Sequence, residues 1–177
     1  MKVFVPVIAA SALLASTVSG WSAETPPKSR TVTGSLQVKI TISQECKVNP
    51  DGDATLNFGT PTILSQDAYS VGTIKVLCTK DTTYNIGLNA GNNPSTPGDV
   101  ATRRMKHTGN NDYVGYQLYS DEGRKNVWGT TEKKDTVDSK IADGTAQPYS
   151  VYGRVPKLAT AVATGEYTDT VTVTVTF

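Results

Sequence analysis

The sequence predicts an all-β fold, an antiparallel sandwich of two sheets, and three observations predict it. From Thr31 to Ile42 every even position is apolar or glycine (Val32, Gly34, Leu36, Val38, Ile40, Ile42) and every odd position is polar. That is the period-two pattern of a strand with one buried and one wet face. From Glu166 to Phe177 the pattern returns, with Tyr167, Val171, Val173, Val175 and Phe177 on one face. Between these ends, short runs rich in Thr, Val, Ile and Tyr alternate with Gly, Pro, Asn and Asp clusters, and no segment sustains a helical period.

Residues 1–23 read as a secretory signal peptide. Lys2 precedes an apolar and small-residue run from Val3 to Val18, and Ser19, Gly20 and Ala23 place cleavage after residue 20 or 23. The run is shorter than the roughly 20 residues a bilayer span needs, so no membrane insertion is expected. Residues 24–43 follow as an N-terminal extension carrying the Thr31 to Ile42 strand, and residues 44–177 suit one domain of ordinary size.

Within that domain the expected strands are Ala54 to Phe58, Gly72 to Thr79, Thr83 to Asn89, Tyr113 to Tyr119, Tyr149 to Val155 and Tyr167 to Phe177. Expected loops are Asn49 to Asp53, Asn89 to Gly98, Ser120 to Gly123 and the charged stretch Glu132 to Lys140. With Thr31 to Ile42 assigned to a neighbouring subunit, the body holds one strand fewer than the about seven of an immunoglobulin-type sandwich. The missing strand would follow the last one, where this sequence stops. The expected fold is therefore an incomplete immunoglobulin-like sandwich, completed by an N-terminal donor strand from a neighbour.

Cys46 and Cys78 are the only cysteines, and in an exported chain such a pair predicts a disulfide. His107 is the only histidine, and no CxxC pair, nucleophile elbow, zinc motif or phosphate loop accompanies it. No enzyme activity, cofactor or metal is expected. Asp112, Asp121, Asp135, Asp138 and Asp143 sit in turn-like settings where aspartate bonds local backbone. The chain has 17 basic and 16 acidic residues, and loss of Lys2 with the leader leaves 16 of each. That balance supplies no electrostatic reason to bind nucleic acid or an anionic membrane. Arg103, Arg104 and Lys106 read as a solvated basic face. Tyr113, Tyr116, Tyr119, Tyr149, Tyr152 and Trp128 read as core packing with a tyrosine corner, not as a sugar platform.

Several fragments together resemble the spore coat U domain family, which includes the pilins of Csu-type archaic chaperone-usher pili. They are Thr33-Gly34-Ser35-Leu36-Gln37-Val38-Lys39-Ile40 running to Cys46, Leu56-Asn57-Phe58-Gly59, Val76 to Cys78, Tyr116-Gln117-Leu118-Tyr119-Ser120-Asp121, Val151-Tyr152-Gly153-Arg154-Val155-Pro156, and the ending from Gly165 to Phe177. The spacer Trp21 to Arg30 is longer than the family pattern. The resemblance implies a structural subunit exported through the periplasm, captured there by a pilus chaperone and passed to an outer-membrane usher. It would polymerise with identical or related pilins, by donor-strand exchange, into a thin surface fibre used in attachment and biofilm formation. In that scheme Val32, Gly34, Leu36, Val38, Ile40 and Ile42 form the donor row. Val171, Val173, Val175 and Phe177 form the chaperone-facing edge. Gly34 marks either a shallow pocket in the host or a bend where the leader joins the strand. The alternative is a monomeric secreted carbohydrate-binding β-sandwich, using Val32 to Ile42 as its own strand.

Overall fold

The computed structural model describes residues 27–49, 51–61 and 64–177; the expected signal peptide, residues 1–23, lies outside them. The chain divides into two units, residues 1–40 and 41–177. In the first, the described residues carry no strand and their side chains are exposed.

The second unit is built of antiparallel strands. In chain order they are β1 (Cys46–Val48), β2 (Ala68–Cys78), β3 (Thr83–Leu88), β4 (Arg104–His107), β5 (Tyr113–Gly115), β6 (Gln117–Tyr119), β7 (Val137–Ile141), β8 (Ala146–Val155), β9 (Tyr167–Thr168) and β10 (Val173–Thr176), with one 3-10 turn at Val100–Thr102. One sheet has the order β1-β2-β8-β6, a second β10-β3-β7 and a small third β5-β4-β9. The backbone of the first is the unbroken β2–β8 ladder, from Ala68 opposite Val155 to Leu77 opposite Ala146. Period-two alternation turns Gly72, Ile74, Val76 and Cys78 of β2 and Val151, Gly153 and Val155 of β8 inward. Tyr84, Ile86 and Leu88 of β3 meet them with Leu118 and Trp128 in a single core. Trp128 is 1% exposed, and its indole N–H donates to the Ile86 carbonyl at 2.8 Å, so the largest core side chain leaves no polar atom unpaired. Pro148, which has no N–H to give, sits in β8 opposite Lys75, beyond the stretch where β6 pairs with β8.

Cys46 and Cys78 are direct register partners across β1 and β2 and are joined by a disulfide, with Cα atoms 4.0 Å apart. The bond clips the short first strand to the end of the longest ladder.

Several elements depart from expectation. Ala54 to Phe58 has the alternation of a strand, with Leu56 and Phe58 half-buried, but no ladder among the described residues. Its apolar side chains lie over two inward glycines: a Cβ at Gly153 would be 2.7 Å from Phe58 Cζ, and one at Gly72 would be 3.1 Å from Leu56 Cβ. The stretch Tyr113 to Tyr119 is two strands, because the Tyr116 N–H bonds Arg103 O and the chain passes there from the third sheet to the first. Tyr167 to Phe177 is likewise divided into β9 and β10. In the charged stretch Glu132 to Lys140, the turn closed by Asp135 on Thr131 gives way to β7, where Val137 packs against the core. The tyrosine corner belongs to Tyr167, whose hydroxyl donates to Ala163 O at 2.9 Å.

Arg103 is the largest correction. Far from a solvated face, it is 2% exposed. Its guanidinium donates to the carbonyls of Leu88, Asn89 and Trp128 and to Gln117 Oε1, at 2.7–2.9 Å. Burial lowers its pKa to about 10, opposed by the nearby Tyr116, Asp135 and Asp169, so it stays cationic at neutral pH. Arg104 turns outward, donating to Asn93 O at 2.8 Å and stacking 4.0 Å over the Tyr113 ring.

Two outcomes follow. Replacing Cys46 and Cys78 together by serine should lower unfolding stability by about 3 to 4 kcal/mol, from the loop of 32 residues it would open, measured by urea titration under oxidising conditions. Arg103→Met should cost at least about 3 kcal/mol, because two buried carbonyls and the half-buried one of Asn89 lose their donor; the same titration reads it.

Candidate functional site

β10 is where the body is unfinished. It pairs with β3 alone, Val173 opposite Leu88 through Thr176 opposite Asn85. Its other edge carries no ladder among the described residues, so a row of backbone donors and acceptors is available there. Cα atoms of β1 and β10 come within 8 Å of each other without hydrogen-bonding as strands. Thr170, Thr172, Thr174 and Thr176 are exposed on the outer face, while Val171, Val173 and Val175 pack against the core and stay only half-buried. Phe177 is 56% exposed.

The complementary feature is the segment containing the expected donor row. Val32 is 95% exposed, Leu36, Val38 and Ile40 between 84% and 88%, and Ile42 77%. Residues 27–45 carry no ladder. Nothing within 4 Å stands against the position of a Gly34 Cβ. Water therefore meets an apolar row at alternate positions, and contiguous exposed apolar surface is uncommon on monomeric soluble proteins.

Other groups singled out in the sequence are held in structural roles. His107 ends β4; its Nδ1 accepts the N–H groups of Gly109 and Asn110 at 2.8 and 3.1 Å, and its ring stands edge-on to Tyr167 at 5.0 Å. Asp121 accepts the backbone N–H groups of Asn126 and Lys125, and Asp143 the hydroxyl and N–H of Thr145. Those bonds hold both carboxyls below their usual range. The tyrosines do not form a flat ring platform. The Tyr84 and Tyr149 hydroxyls meet at 2.6 Å with rings at 89°, and Arg124 lies over Tyr69 and Tyr152 at 4.5 and 5.8 Å. Tyr116 points into the core and bonds Asp169 Oδ2 at 2.7 Å, and burial together with that carboxylate raises its phenol well above the ordinary range.

Arg103 and Asp169 are the functional-site supports that the sequence reading missed. For Asp169 a signal existed: it occupies an inward parity position between Tyr167 and Val171, where a charge is out of place unless bonded.

Comparison with known proteins agrees with this architecture. The family model for the Spore Coat Protein U domain matches residues 32–174. Protein U of Myxococcus xanthus is 34% identical over 161 residues, covering 86% of this chain and 88% of that protein. Among solved structures, the chain is similar to the CsuC–CsuE chaperone–tip adhesion subunit pre-assembly complex from the archaic chaperone-usher Csu pili of Acinetobacter baumannii. The TM-score is 0.53 and the identity 23%, over 77% of this chain and 41% of the matched one. The chain thus spans less than half the length of that structural neighbour.

Proposed function

The chain belongs to the Spore Coat Protein U domain family, and from that premise we propose that it is a pilin-like, non-enzymatic subunit that polymerises by donor-strand exchange. The observation that carries the reading is the pairing of two incomplete features in one sequence. Val32, Leu36, Val38, Ile40 and Ile42 are exposed along one parity, and β10 has an edge without a partner among the described residues. In the proposal the N-terminal segment of one copy, or of a related subunit, lies along β10 of the next. Main-chain hydrogen bonds give affinity there, and the alternating side chains enter the interior and set the fit. Five aliphatic side chains at roughly 1.5 to 3 kcal/mol each for full burial amount to on the order of 10 kcal/mol, comparable with the stability of a whole small domain. Such a joint would dissociate on the timescale of unfolding.

Residues 1–23 would be the export signal, 24–43 the extension and donor, and 44–177 the accepting body. Before assembly the same open edge, with Val171, Val173, Val175 and Phe177, would be covered by a periplasmic chaperone and released at an outer-membrane usher. The fold match to a chaperone–subunit pre-assembly complex of a pilus supports the chaperone step of this reading. The finished fibre would stand on the cell surface, with attachment and biofilm formation as its use.

The decisive experiment is electrophoresis in SDS, with and without boiling, of the chain produced with its cognate chaperone and usher. A heat-sensitive ladder is expected, and deletion of residues 24–42 should remove it while leaving chaperone capture intact. A lone monomer band from well-folded parent would instead favour the self-complete sugar-binding sandwich. Ile40→Asp should shorten the ladder and leave the thermal unfolding of the body unchanged, because the side chain is 84% exposed before assembly.

A further inference from the structure

The last strand has a register problem that its own sequence cannot solve. From Thr170 to Thr176 threonine and valine alternate without interruption. Sliding β10 along β3 by two residues puts Val171 opposite Leu88 and Val173 opposite Ile86, in place of Val173 and Val175. Every inward valine still faces an apolar neighbour, and every threonine still faces solvent. A strand of this kind on a sheet edge is weakly specified by its pattern.

We propose that Asp169 is the register-determining residue of this strand. Its Oδ1 accepts the Asn92 backbone N–H and the Asn93 side-chain amide, each at 2.9 Å, and its Oδ2 accepts the Tyr116 hydroxyl at 2.7 Å. Gly91, in the left-handed region at φ 80°, leaves the space for the carboxylate, and a Cβ there would collide with it. Asn89 ties the strand at the same place, its Oδ1 accepting the Thr172 N–H at 2.8 Å and its N–H donating to Thr172 O at 3.1 Å, but through main-chain groups that Thr170 would offer equally after a slip, which leaves the choice of offset to Asp169. The loop is itself pinned, since Asn89 O accepts from the buried Arg103 guanidinium. A two-residue slip would present Tyr167 or Val171 to Asn92 and Asn93 in place of Asp169: valine carries no acceptor, and the single phenol oxygen of tyrosine, at the far end of its ring, does not replace the two carboxylate oxygens that serve the three donors here. The carboxylate breaks a degeneracy that the Thr-Val repeat leaves.

The register of β10 within its own sheet stands without reference to assembly. Its consequence rests on the strand-exchange reading: the free edge of β10 would set which donor residue meets which interior position, so Asp169 would govern the fit of a neighbour it never touches.

Paired cysteines on the full chain read the register without any partner. Asn85→Cys with Thr176→Cys joins residues that face each other in the native offset, whereas Asn85→Cys with Thr174→Cys joins them only after a two-residue slip. With Asp169 present, the native cross-link should exceed the slipped one by more than about tenfold after mild oxidation and peptide mapping. Asp169→Ala should bring the two yields close together. Asp169→Asn, whose amide can still accept from the loop and donate to Tyr116, should keep the native excess. An undiminished native cross-link in Asp169→Ala overturns the assignment, as does slippage in Asp169→Asn equal to that in Asp169→Ala. Should Asp169→Ala fail to fold, Tyr116→Phe combined with Asn93→Ala removes two of the three bonds and is read by the same cross-links. Slippage is expected there too, and a purely native cross-link would overturn the proposal.

Discussion

A strand inside a sheet satisfies its backbone N–H and C=O groups from two sides, and among the described residues β10 is supplied from one side only, by β3. Much else in the body is arranged around that unfilled side. Val171, Val173 and Val175 are packed against the core yet remain half-exposed. The segment through Leu56 and Phe58 alternates like a strand and has no ladder. An open edge with an apolar lining is a hazard in an isolated molecule. In the strand-exchange proposal it would be a recognition surface for an extended partner of matching period, and residues 32–42 have that period.

Holding such an edge open requires rigidity elsewhere. The long β2–β8 ladder provides a sheet that does not depend on β10, and the Cys46–Cys78 bond ties the short β1 to it. On the opposite side a buried cation takes the place of ladder hydrogen bonds. Arg103 gathers carbonyls from Leu88, Asn89 and Trp128, groups from two stretches of chain that approach without forming a sheet with each other. Left alone, each buried carbonyl would cost free energy. Satisfied by one planar guanidinium, they fix the loop that in turn receives Asp169.

The family relationship and the physical reading reach the body by different routes and agree on its architecture. The match over residues 32–174 takes in the exposed N-terminal row together with the sheets. The row is thus inside the family's shared unit, not an appended tail. In the strand-exchange proposal the five aliphatic side chains exposed there would be buried in a neighbouring copy, since every copy carries both halves.

The sequence by itself determined the all-β class, both amphipathic ends and the cysteine pair, because period-two alternation and turn chemistry are local properties of the chain. The central parts of β2, β3 and β8 were legible for the same reason: their inward residues are apolar and their outward ones polar. Only the tertiary structure decided the rest. Ala54 to Phe58 alternates as a strand should, but a strand needs a neighbour, and whether one lies alongside is not written in its own residues. β7 was hidden because edge strands carry charge, and Glu132 to Lys140 reads as a loop by composition. Tyr113 to Tyr119 and Tyr167 to Phe177 were divided at Tyr116 and Asp169, whose partners are 53 residues apart in sequence. Arg103 looked solvated beside Arg104 and Lys106, and its burial follows from carbonyls up to 25 residues away converging on it. Local pattern specifies which face of a strand is apolar; which groups lie across from that face, and at which offset, is settled only when distant segments close on one another.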